Sequence, residues 1–100
     1  MNDLSTIPLR KALGTDLSSR GCAAALRTRI LQAVESGTPR VVIDVTGVRS
    51  MSESFADELF AVLAERKGEK WFRQHIELQN LTTELRWSIL SAISGRAVSP

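Results

Sequence analysis

Cysteine occurs once in this sequence, at Cys22. A single thiol excludes an internal disulfide and a thiolate metal cluster within one chain. Cys22 stands among alanines in a stretch with helical spacing, which predicts a small buried residue rather than a redox thiol. Histidine also occurs once, at His75, with no serine or acid in triad-like spacing. It is expected to be an ordinary strand-edge residue. Gly47 alone does not make a phosphate-binding loop. No apolar run approaches the roughly 20 residues of a membrane span. Met1 to Pro8 lacks the basic-then-apolar order of a signal peptide, so a cytoplasmic protein is expected. Repeats, low-complexity segments and long linkers are all missing. Neither a metal nor a cofactor is expected.

What is present fits one domain. A chain of 100 residues buries roughly 60–70% of its extended surface, enough for a single core. The core is expected over about residues 17–94 of 1–100, with a loose tail over 95–100. Net charge is +2, and the arginines are interspersed with acids. Such a surface fits an acidic protein partner at least as well as nucleic acid.

The periodicities alternate between strand and helix. Leu4 to Leu9 predicts a short first strand, with Pro8 at an edge or ending it. Arg10 to Ser19 is ambiguous, because Gly14, Thr15 and Asp16 form loops. A helix is expected over 20–36, capped by Asp16, Ser18 or Ser19 and stopped by Gly37 and Pro39. Its apolar face would hold Cys22, Leu26, Ile30, Ala33 and Val34. Val41, Val42, Ile43 and Val45 form a β-branched run, as in a strand buried on both faces. A second helix is expected over 54–67. Ser54 and Asp57 match a capping box, Phe55, Leu59, Val62 and Leu63 form its core face, and Gly68 ends it. In Gly68–Gln74 one ring of Trp71 and Phe72 would cover the core edge and the other would face a partner. His75–Gln79 predicts a third strand. Asn80 or Thr82 would cap a last helix with Leu81, Leu85, Ile89, Ala92 and Ile93 on one side, stopped by Gly95. The order β-α-β-α-β-α implies an α/β fold with a mostly parallel or mixed central sheet flanked by helices.

Four stretches resemble a known family. Leu17-Ser-Ser-Arg20, Val42-Ile-Asp-Val-Thr-Gly-Val48, Ser54-Phe-Ala-Asp-Glu-Leu59 and Ile76-Glu-Leu-Gln-Asn80 are similar to segments of STAS-like domains, including the anti-sigma-factor antagonists. The resemblance implies a small α/β fold and a non-enzymatic regulatory module that works through protein contacts. Some relatives lie beside histidine-kinase-like ATPases, which implies such a partner. In the better-known antagonists a serine at the start of the second helix is phosphorylated, within Asp-Ser-Ser-Gly. Laid on that motif, Ser52 takes the place of the Asp, Glu53 of the phosphorylated Ser, Ser54 of the second Ser and Phe55 of the Gly. The regulatory hydroxyl is missing and a carboxylate stands there. Phosphorylation adds about −1.5 to −2 charges, glutamate about one. Three alternatives stay open: Glu53 holds the module in one state, Ser52 or Ser54 is the phosphosite, or there is no phosphorylation.

The expected partner-binding or regulatory residues are therefore Ser52, Glu53, Ser54, Asp57 and Glu58. Asp57 and Glu58 point about 100° apart on a helix, which predicts a solvated first turn rather than a catalytic pair. Asp44 is expected to organise the following loop by accepting hydrogen bonds. The rival reading is a small nucleic-acid-binding domain. Arg20 and Arg27, seven residues apart, would share a helix face, widened by Arg10, Lys11 and Arg29. Against it, no aromatic residues interleave with that patch.

Overall fold

The structure is a computed structural model that describes residues 6–97. Its central strand is β3 (Val41–Asp44), set parallel between β1 (Thr6–Pro8) and β5 (Ile76–Gln79). Register places Ile7 beside Ile43 and Ile43 beside Leu78, with Val41 beside Ile76. Pro8 ends an edge strand, where its missing N–H is harmless. The other half of the predicted first strand differs. Leu4 lies outside the described residues, and Leu9 opens the short helix α1 (Leu9–Leu13) with its side chain fully buried.

The β3 run does not bury both faces. Val41, Ile43 and Val45 are buried, whereas Val42 and Asp44 are half-buried. The other face of the sheet carries Thr6, Val42 and Glu77 in one row and Pro8, Asp44 and Gln79 in the next. Four of these six are polar. Side chains alternate with period two, so this sheet has one core face. A run of β-branched residues cannot by itself report which faces are covered.

A second parallel pair joins β2 (Asp16–Leu17) to β4 (Ser50–Met51). Neither strand is visible in the sequence, because two-residue strands have no detectable period. Ser50 Oγ donates to Asp16 Oδ1 at 2.7 Å and Arg49 Nη2 donates to Oδ2 at 3.0 Å. Gly47 turns the chain between β3 and β4 at φ 82°, where a Cβ would collide with the Arg10 side chain.

Helix α2 (Arg20–Glu35) is capped by Ser19, whose Oγ accepts from Cys22 N at 3.1 Å. It ends in a Schellman motif. Thr38 N donates to Ala33 O and Gly37 N to Val34 O, with Gly37 at φ 111°. Its buried positions are Ala23, Leu26, Arg27 and Ile30. Cys22 is exposed, a correction to the expected face: the stripe runs one residue later, through Ala23 and Arg27.

The second predicted helix starts earlier and is not uniform. It runs as α3 (Glu53–Ala56), a π turn (Asp57–Ala61) and α4 (Val62–Lys67) without a break. Val62 N reaches back five residues to Asp57 O. Phe55, Leu59, Val62 and Leu63 are buried as expected, and so are Ala56, Phe60 and Ala61. This is the central helix, packed against both α2 and α6 (Thr83–Ala97).

The polar stretch after Gly68 is helical, as α5 (Glu69–His75). Trp71 and Phe72 are both half-buried, so neither ring stands free. Phe72 meets Phe60 edge-on at 6.5 Å, while Trp71 lies 4.9 Å from the His75 ring. His75 thus ends a helix instead of starting a strand. Its Nδ1 lies 2.8 Å from Pro39 O and, facing a carbonyl, must carry the proton. Thr82 caps α6, its Oγ1 accepting from Leu85 N at 3.1 Å. Leu85 and Ile89 are buried, with Leu81, Ala92 and Ile93 half-buried beside them. Gly95 does not stop α6, which continues to Ala97; residues 98–100 of the expected loose tail lie outside the described residues.

Candidate functional site

The start of the central helix is built by a hydroxyl cap, but the cap is Ser52. Ser52 has extended backbone angles, and its Oγ accepts from Phe55 N at 3.1 Å. Ser54, expected to be the cap, lies inside the first turn and is half-buried. The apolar Phe55 fills the position where a capping box needs an acid or amide, so no box forms. We expect Ser52→Ala to cost about 1 kcal/mol and Ser54→Ala no more than about 0.5 kcal/mol. Urea midpoints of the two variants check this; a larger loss at Ser54 would move the cap back to it.

Glu53 is the first helical residue and is exposed. Among the described residues its carboxylate has no ion pair or side-chain hydrogen bond. The positive end of the helix dipole favours an anion at this position.

Asp57 and Glu58 are not a solvated turn. Arg96 Nε and Nη2 grip Asp57 at 2.7 and 2.9 Å, and Arg96 Nη1 reaches Glu65 Oε1 at 2.8 Å. Arg20 Nη1 lies 2.9 Å from Glu58 Oε1 and 3.6 Å from Asp57 Oδ2. Arg27 Nη1 lies 2.9 Å from Glu58 Oε2 and also donates to the main-chain carbonyl of Glu58. A π turn displaces carbonyls from ordinary helical pairing, and Arg27 meets one of them. The adjacent carboxylates do diverge; arginines from α2 and α6 come to them. The paired Arg96 holds the Asp57 carboxyl below its usual range, with Arg20 adding to the effect. Hydrogen bonds from Arg27 and then Arg20 do the same for Glu58. The Arg96 guanidinium is pushed up in turn, mainly by Asp57.

This network also takes Arg27 out of the expected basic face. Arg27 is only 8% exposed, and Arg20 is committed to Asp57 and Glu58. The two arginines clamp the central helix, while Arg20 keeps 56% of its side chain exposed and Arg10, Lys11 and Arg29 are exposed as well.

Asp44 does what the sequence indicated. Its Oδ1 accepts from Thr46 N at 3.0 Å, Thr46 Oγ1 at 2.6 Å and Asn80 Nδ2 at 2.9 Å. These bonds, that from the Thr46 hydroxyl foremost, depress its pKa. Asp44 thereby ties the β3 turn to the β5 turn, where Asn80 adopts φ 63°.

The model of a family described as the STAS-like domain of unknown function (DUF4325) matches residues 23–86, more than half of the chain. The chain belongs to this STAS-like family. No curated protein and no solved structure matches it. The matched span holds Arg27, Asp44 and the whole Ser52–Glu58 segment of the STAS-like domain. Arg20 precedes it and Arg96 follows it. Among the described residues, no helix of the STAS-like domain is long and apolar enough to cross a membrane.

Sequence reasoning missed Arg96, Trp87 and Leu90. Trp87 is 72% and Leu90 52% exposed on α6. A signal existed for both, since neither falls on the Leu81, Leu85, Ile89, Ala92, Ile93 stripe. Arg96 had none, because Gly95 masked the last turn of the helix.

Proposed function

We propose that this STAS-like domain is a non-enzymatic, cytoplasmic regulatory module that binds a protein partner through the start of the central helix. Ser52, Glu53 and Ser54 form the contact, and Glu53 supplies a constant negative charge where related antagonists carry a switchable one. The observation that carries this reading is the exposed, uncommitted carboxylate of Glu53, one turn from two carboxylates that arginines already hold. Asp57 and Glu58 act from behind, fixing the helix that presents Glu53. Their depressed pKa values suit fixed anions and do not suit acid–base catalysis near neutrality. The family resemblance suggests an ATPase of the histidine-kinase type as the partner.

Glu53→Lys is expected to abolish recovery of a defined partner in a pull-down from the native host. Reversing a charge at the helix start should cost only about 0.3–1 kcal/mol of stability. A thermal melt of both proteins accompanies the pull-down. Equal recovery of every bound protein by two folded chains would remove this segment from the mechanism.

A further inference from the structure

An open groove of about 520 Å³ runs between the start of the central helix and α6. Small residues of α6, Ser91, Ala92 and Gly95, line one side. Trp87 precedes Ser91 by four residues and so lies on the same stripe, one turn further along. Leu90, three residues after Trp87, lies beside it. Large exposed apolar side chains next to a groove mark contact surfaces, and tryptophan is prominent among interface anchors.

The charges along the groove identify the occupant. Its arginines are Arg20 and Arg96, and its acids are Glu53, Asp57 and Glu65. Arg96 is bound to Asp57 and Glu65, and Arg20 to Glu58 and Asp57. Among the described residues, only Glu53 of this lining is left without an internal counter-ion. The free charge of the groove is therefore negative.

We propose that this groove docks an amphipathic, lysine- or arginine-bearing helix of a partner protein. Its apolar face packs on Trp87 and Leu90, its backbone approaches the small residues of α6, and a cation meets Glu53. Helix-in-groove docking lays the apolar face of an amphipathic helix on apolar anchors, and a polar rim surrounds such contacts. The proposal rests on the reading that the start of the central helix faces the partner, and it names that partner's chemistry.

The test uses the full chain and synthetic amphipathic peptides of about four helical turns, one built from leucine and lysine, one from leucine and glutamate. Anisotropy measures affinity, and amide NMR maps the contact. The leucine–lysine peptide should bind more tightly and shift the Glu53, Ser91 and Gly95 amides together with the Trp87 indole. Trp87→Ser should weaken it by about tenfold or more, as for an interface anchor. Gly95→Leu should weaken it similarly while melting no lower than wild type, because a Cβ there meets open space and leucine favours helix over glycine. Tighter or equal binding of the leucine–glutamate peptide, absence of binding by the leucine–lysine peptide, or shifts that map elsewhere would overturn the proposal. A dimer in sedimentation that Trp87→Ser dissolves would also overturn it, by showing that a second copy covers this face. In the pull-down, loss of the partner by Glu53→Lys but not by Trp87→Ser or Gly95→Leu would leave the central-helix contact standing and remove this groove. The reverse pattern would overturn the cationic occupant proposed here, because Glu53 is the charge that calls for it, and would remove Glu53 from the contact.

Discussion

Leu59→Ala is expected to destabilise the domain by about 2–5 kcal/mol, through lost transfer energy and the cavity left behind. Leu59 is fully buried in the π turn, where the central helix packs against α2 and α6. Phe55, Phe60 and Leu63 surround it in sequence and are equally buried. The site has little freedom to collapse, because Arg27 and Arg96 pin the same turn from two directions. A domain of this size has about 5–15 kcal/mol of stability in total. The loss should therefore appear as a large drop in the urea midpoint with an unchanged slope. A midpoint equal to wild type would mean that the π turn does not bear on the core.

Acid should produce the second large effect. Asp57 and Glu58 both titrate below their ordinary values of 3.8 and 4.5. A carboxylate whose folded pKa is depressed stabilises the fold above its unfolded pKa. That contribution is lost as pH falls through the folded value. Asp16, Asp44 and Glu77 shift the same way, led respectively by hydrogen bonds from Ser50, Thr46 and Gln79. The melting temperature should thus hold steady from about pH 7 to 5 and fall increasingly below about pH 4. Arg96→Gln should lower the melt at neutral pH and shallow the acid decline, because Asp57 loses its leading partner. The two curves should converge as the carboxyls protonate. Parallel curves at all pH values would show that Arg96 stabilises by packing and not by its charge.

Both effects meet at the π turn, which explains its place in the fold. A turn widened by one residue sets Asp57 and Glu58 between α2 and α6. Arginines from those two helices then hold the turn from opposite sides. The result is a central helix anchored at its π turn, with its first residue, Glu53, exposed.

Local rules were enough for the features that depend on near neighbours. The neighbourhood of the caps, narrowed to Asp16, Ser18 or Ser19 and to Asn80 or Thr82, the Gly37 stop, the bonds of Asp44 to the following loop and the core stripe of the central helix were legible from spacing. Each is decided within a few residues along the chain, where hydrogen-bond reach and helical period leave few choices. The STAS-like family was legible for a similar reason, since its motifs lie in contiguous runs. Tertiary structure alone decided the rest. A charged residue on a helix gives no sign that a carboxylate 31 positions away will draw it into the core, as Glu58 draws Arg27. The β-branched run of β3 specified a strand, but only the placement of helices left Val42 and Asp44 on an open face. The two-residue strands β2 and β4 exist because Asp16 and Ser50 meet across 34 positions. A helix passes Gly95 because the next residue, Arg96, is held by Asp57 and Glu65, and those bonds outweigh the weak helix propensity of a single glycine.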